Sequence, residues 1–305
     1  MRTPNGFMAN RAGVMELLDE LVRGEGTDVH LKVPGRPLFR VNGQLVPTHH
    51  QRLLPSDTMA IAQAVLELAN EEITLATVRD HRVAFGLEGV GRFRAQISRQ
   101  RGSLAIVIHR VRLEPPQLDE LGYFGELSSV IEAGHGLVLV AGGRRRHAVI
   151  AALIRHYNHA VYGHLVSVED TMEYLHRDVR AGITQREVGT DVATVHEGLA
   201  SAMRQDPDAI AVSDLPEPVD AEMVLRAAEE GLLVICGVPM PDRGDAVRAF
   251  TRRFASSREE EVTSRLGGVL KGCVAVPREG DARFSALDEG TRGELCAGVL
   301  VRMVG

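Results

Sequence analysis

The strongest constraint on the fold is a rhythm in the second half of the chain. Short, continuously apolar runs alternate with helical patterns: 137–141, a helix over 146–158, Leu165–Val168, a helix near 192–205, Ala209–Val212, a helix Val219–Glu230 and Leu232–Cys236. Runs that are apolar throughout, rather than at every second residue, belong to strands covered on both faces, so the alternation predicts a mainly parallel sheet flanked by helices. Such sheets bind ligands at the carboxyl ends of their strands. The loops after Val140, Val168, Val212 and Cys236 therefore hold any functional site.

The first of these loops is the most informative. Gly136–Val140, Gly142-Gly143 and an Ala-rich helical stretch from Ala148 make the strand–loop–helix setting of a phosphate-binding loop. A working loop reads G-x-x-x-x-G-K-[ST], because its glycines let N–H groups curl around phosphate while the lysine and hydroxyl meet the β/γ-oxygens and Mg²⁺. Counted from Gly142, the lysine position holds Ala148, and Arg144-Arg145-Arg146-His147 stands where glycines and lysine belong. The only lysines, Lys32 and Lys271, lie outside any such motif.

The first half reads differently. Val14, Leu17, Leu18 and Leu21 form one helical face, ended by Gly24 and Gly26. Strands follow at 27–33 and 37–41, and Asn42-Gly43 is a hairpin signal returning the chain as Gln44–Val46. Ser56-Asp57 is expected to cap a helix to about Asn70; strands at 83–87, 91–98 and 104–109 complete an antiparallel sheet. Pro115-Pro116 stops both helix and sheet pairing, which places an α+β domain at 1–112, a linker at 113–123 and the α/β domain at 124–305.

Composition limits the partners. A net charge of −6 gives no bulk attraction to nucleic acid or anionic lipid, and 4% aromatics make base-stacking platforms an unexpected use of the chain. The excess of arginine over lysine has two readings, a phosphate-binding surface or the codon bias of a GC-rich genome. Cys236, Cys273 and Cys296 are too widely spaced for a C-x-x-C and read as reduced thiols. No apolar run approaches the ~20 residues that span a bilayer. The expectation is a cytoplasmic protein without membrane insertion. His156, His159 and His164 lack a neighbouring carboxylate or cysteine at ligand spacing, and His49-His50 reads as exposed loop, so no metal site is expected.

The loops also carry a resemblance. Asp28-Val29-His30-Leu31, Arg40–Gly43, Gly91–Arg94 leading to Gln100–Gly102, Leu118–Gly122, Val168–Glu173, Thr184–Gly189 and Ala200–Asp208 together resemble the type IV pilus retraction ATPases, the PilT-like proteins of the type II/IV secretion hexameric ATPase superfamily. The match runs from about Thr27 to Pro277. It implies a PAS-like N-terminal domain, a RecA-like P-loop NTPase core and a hexameric ring with nucleotide at the subunit junctions.

The departures from the family pattern fall on its catalytic positions. The phosphate loop is shortened to Gly142, Gly143, Arg144, Arg145, Arg146 and His147, with Arg146 standing in for lysine. The Mg²⁺-holding hydroxyl is absent; the Walker B Gly-Glu becomes Ser213-Asp214; the histidine box reads Val238-Pro239-Met240-Pro241. Glu169 and Glu173 match the acidic box of the family's water-activating base, and Arg186 keeps its place. Arg92, Arg94, Arg99 and Arg101 match the arginines sent towards a neighbour's nucleotide. The resemblance thus leads to a catalytically inactive pseudo-ATPase of a pilus or secretion machine, with no cofactor bound, in a homo- or hetero-hexamer with an active motor at the inner-membrane platform. Two alternatives stand beside it. One is a divergent active ATPase using ATP and Mg²⁺, with Arg146 and Asp214 in place of lysine and glutamate. The other is a module whose Arg144–Arg146 loop binds another anion, a cyclic nucleotide or an acidic peptide.

Overall fold

A computed structural model describes residues 9–121, 126–143, 145–240, 243–276 and 283–286. Arg144, Pro241 and Cys296 lie outside them. The chain divides into two compact units, Met1–Leu113 and Glu114–Gly305.

The first unit is an antiparallel sheet with two helices: α1 (Arg11–Arg23), β1 (Asp28–Leu31), β2 (Leu38–Val41), β3 (Gln44–Pro47), α2 (Pro55–Leu68), β4 (Asp80–Leu87), β5 (Gly91–Gln100) and β6 (Ser103–Val111), in the order β3-β2-β1-β6-β5-β4. Asn42 and Gly43 take φ of 48° and 79°, the mirror-image turn that suits a two-residue hairpin between β2 and β3. Val83, Phe85, Phe93, Ala95, Ile97, Ile106 and Ile108 alternate inward to meet Leu17, Leu18, Ile61 and Val65 of the helices. The start of α2 corrects the expected cap. Pro55 opens the helix, and Asp57, inside the first turn, accepts the Leu54 N–H at 2.8 Å. Proline fits because its missing N–H has no intrahelical partner there.

The second unit comprises α3 (Glu126–Glu132), β7 (Gly136–Gly142), α4 (Arg146–Ala160), β8 (His164–Glu169), β9 (Gly182–Glu187), α5 (Val195–Met203), β10 (Ala209–Val212), α6 (Pro218–Glu229), β11 (Leu233–Val238), α7 (Arg243–Thr251), α8 (Glu259–Val269), β12 (Leu270–Val276) and β13 (Arg283–Ala286). Its sheet runs β13-β12-β7-β11-β10-β8-β9, parallel except for β13 at one edge. This is the RecA-like arrangement, and its two cores explain the continuously apolar strands. Leu137, Leu139, Ile210, Val212, Val234 and Cys236 face α5 to α8, while Val138, Val140, Ala209, Ala211, Leu233 and Ile235 face α3 and α4. The expected strands and helices of the rhythm are present. β9 was not among them, because an edge strand reading Ile-Thr-Gln-Arg is only partly buried and lacks an apolar run.

Candidate functional site

The carboxyl ends of β7, β8, β10 and β11 come together, and their loops carry Gly142 to His147, Asp170 to Glu173, Ser213-Asp214 and Pro239-Met240. Gly142 has a packing reason of its own. A Cβ there would sit 2.9 Å from Val276 Cβ and 3.0 Å from Val276 O, because β12 passes against the strand end, whereas a Cβ on Gly143 would meet nothing within 4 Å.

Arg146 opens α4 and is buried, with 6% of its surface exposed. Its Nε–H donates to Ser213 O at 3.0 Å, one terminal N–H to Gly143 O at 3.2 Å, and the other to Asp214 Oδ2 at 3.5 Å. The guanidinium therefore faces inward, across the switch-point loops. Asp214 is bracketed by a second cation: Arg253, beyond α7, places a terminal nitrogen 3.7 Å from Oδ1. Arg253 carried no sequence signal, since it lies far along the chain in no recognisable motif. The Ser213 carbonyl is approached just as closely by β11, where a Cβ on Gly237 would lie 2.1 Å from it.

The next position along the loop is also enclosed. His147 is buried, and desolvation lowers its pKa, so its imidazole is neutral near pH 7; Asp170 Oδ1 stands 3.9 Å from Nδ1, and Glu173 exerts the larger opposing field. Asp170 in turn accepts the Ser213 hydroxyl at 2.6 Å and donates its backbone N–H to Ser213 Oγ at 2.9 Å. Ser213, read in the sequence only as half of an altered Walker B pair, thus ties the end of β8 to the end of β10. Glu173 makes no hydrogen bond to the described residues. Arg145 is exposed at the helix start, so of the two described arginines of the loop one faces outward and the other, Arg146, inward.

Glu169 is turned elsewhere. Its Oε1 accepts the Ser167 hydroxyl at 2.7 Å and Gln185 Nε2 at 3.0 Å. Dense protein surroundings push its pKa up to about 7, although part of the residue remains open to solvent. Gln185 also donates to Tyr174 O at 2.9 Å, and Arg186 binds Ser201 Oγ at 2.8 Å on α5. Both preserved side chains of that stretch hold β9 to its neighbours.

The remaining predicted residues belong to the first unit. Arg92 and Arg94 alternate with buried Phe93 and Ala95 and so lie on the sheet face away from the core; Arg101 occupies the tight turn between β5 and β6, with φ of 51°. Arg99 is held within its own unit, donating to the carbonyls of Val78 at 2.8 Å and of Leu75 and Ala76 at 3.0 Å each. His156 bonds Glu132 at 2.9 Å and His164 bonds Thr184 at 3.0 Å, so these histidines do not converge. His50 is not simply exposed loop: its Nε2 lies 3.0 Å from Glu20 Oε2.

Comparison with known proteins agrees with this architecture. The type IV pilus ATPase PilU of Pseudomonas aeruginosa is 29% identical over 264 residues, covering 85% of this chain and 68% of that one. The type IV pilus retraction ATPase PilT of the same organism is 25% identical over 280 residues, covering 90% and 80%. Among solved structures, the pilus retraction motor PilT with bound ADP superposes with a TM-score of 0.81 at 25% identity, over 95% of this chain and 87% of that one. The Legionella pneumophila ATPase DotB shares the fold, with a TM-score of 0.76 at 17% identity over 96% and 86%. The family model described as type II/IV secretion system protein matches residues 11–252, and the chain belongs to that family, in its PilT-like group.

Proposed function

We propose that this protein is a pseudo-ATPase of a type IV pilus or related secretion machine, a structural or regulatory subunit that keeps the motor fold without turning over nucleotide. The observation that carries this reading is the inward set of Arg146. A lysine in a working phosphate loop points at β/γ-oxygens, but this guanidinium is committed to Ser213 O, Gly143 O and Asp214. The residues present do not fit a magnesium–nucleotide complex. The loop has no hydroxyl, His147 is neutral and enclosed, and Asp214 is engaged by Arg146 and Arg253. Losing an electrostatic contributor costs about 3 kcal/mol in comparable sites, and several are absent together.

The retained scaffold supports assembly with related motors, in a homomeric or mixed hexamer, on the cytoplasmic side of an inner-membrane platform. In such a ring Arg92, Arg94 and Arg101 occupy the positions from which arginines serve a neighbour's nucleotide, whereas Arg99 is held by the carbonyls of Val78, Leu75 and Ala76.

One observation favours the active alternative: a carboxyl with a pKa near 7 is poised for general-base work, and Glu169 is such a group. Calorimetry with Mg·ATP and a phosphate-release assay on the purified chain separate the two. No turnover is expected. Magnesium-dependent hydrolysis abolished by Glu169→Gln would overturn the pseudo-ATPase reading in favour of the active one.

A further inference from the structure

We propose that Glu20, His49 and His50 form a binding site for a divalent transition metal of the zinc type, in the first unit. Each offers one ligand atom, an imidazole nitrogen from each histidine and a carboxylate oxygen from Glu20, and all three atoms lie within 4.8 Å of one another. A tetrahedral zinc with bonds near 2.0–2.1 Å needs ligand atoms roughly 3.3 Å apart. The set therefore closes on an ion by a contraction of at most about 1.5 Å, within the reach of side-chain rotation.

The framework around the three is already in place. Glu20 projects from the last turns of α1, a helix capped by Asn10 and packed through Leu17, Leu18 and Leu21. The histidines lie in the connection from β3 to α2. That connection is pinned on both sides, by Thr48 N–H to Pro37 O at 3.0 Å and Leu53 N–H to Gly35 O at 2.7 Å. His50 is 12% exposed at its side chain and already meets Glu20 at 3.0 Å.

An ordinary ion pair accounts for His50 and Glu20 but gives no role to His49. Its ring nevertheless stands 4.1 Å from that of His50, tilted by 35°, and adds a third donor at the solvent-facing side. Two imidazoles and one carboxylate are a donor set that borderline cations prefer over Mg²⁺ or Ca²⁺, and the exposed His49 leaves a coordination position for water. Occupied, the site ties α1 to the connection ahead of α2.

The test uses the full chain, free of any affinity tag and stripped with chelator, titrated with ZnCl₂ by calorimetry and followed by thermal melting. One zinc per chain and a raised Tm are expected. Glu20→Gln, His49→Gln and His50→Gln should each weaken binding by more than about tenfold. His49 is exposed, so His49→Gln keeps the fold and carries the test if a variant of Glu20 or His50 fails to fold; its Tm should no longer respond to zinc. The proposal is overturned if no stoichiometric zinc is taken up, if uptake survives His49→Gln unchanged, or if uptake is lost in Cys296→Ser instead.

Discussion

Arg146 and Glu169 are the residues whose roles the structure changes most. Arg146 sits at the lysine end of the loop, yet it acts as an internal brace: removing it takes the guanidinium from a buried carbonyl, Ser213 O, and leaves Asp214 with Arg253 and the Leu215 N–H. Arg146→Ala should lower stability by about 1–3 kcal/mol in a urea or thermal melt, and Arg146→Lys should recover only part of it, because one ammonium cannot reproduce the guanidinium fork. A melt of Arg146→Ala matching wild type would remove the brace. At Glu169 burial raises the carboxyl from 4.5 to about 7, so the folded state holds the proton more tightly than the unfolded chain. The resulting stability is complete below about pH 4.5 and is lost as pH rises through about 7. Glu169→Gln should flatten that decline. Above pH 7 it should exceed wild type by about 2 kcal/mol, a figure reduced from the full shift because the residue is partly open to solvent.

Among the elements, the strand ends decide most. β11 passes so near the end of β10 that a methyl at Gly237 would lie 2.1 Å from Ser213 O, a backbone atom no rotamer change can move. Gly237→Ala is expected to cost about 3 kcal/mol or more, measured by chemical unfolding or seen as loss of soluble protein; a wild-type midpoint would refute this close approach. On the outer side, α6 and α8 are joined through ion pairs. Arg265 holds Glu229 with two bonds of 2.8 Å and reaches Glu222 at 3.0 Å, and that bonding lowers the Glu229 pKa. Glu229→Gln should lower stability by only about 0.5 kcal/mol, with the difference shrinking as salt is raised. Elements with a strong local signature were legible in the sequence, the Asn42-Gly43 hairpin and the doubly covered strands above all. β9 was not, since an edge strand needs no apolar run, nor was the opening of α2, where Pro55 and Asp57 cap from within the first turn.

For the whole molecule, one core stands behind the first unit and two behind the second, and among the described residues no helix is long and apolar enough to cross a membrane. Family membership rests on the family model that matches residues 11–252, and a PilT structure at 25% identity matches the fold over 95% of the chain. A scaffold kept while its loop cation turns inward is expected to self-associate or to join a related motor without hydrolysing ATP. Mass measurement in solution, alone and with an active PilT-like partner, checks this. A chain that stays monomeric in both conditions would leave the ring assembly without support.

The sequence by itself determined the fold class, the position of the candidate site at the ends of β7, β8, β10 and β11, and the absence of the loop lysine and hydroxyl, because periodicity and motif spacing are local properties. Only the tertiary structure decided what the substitutes do. Whether Arg146 reaches out to a ligand or in to Ser213 and Asp214, whether Glu169 holds its proton, and whether His49 and His50 meet Glu20 are set by residues distant in the chain, whose approach no spacing along it records.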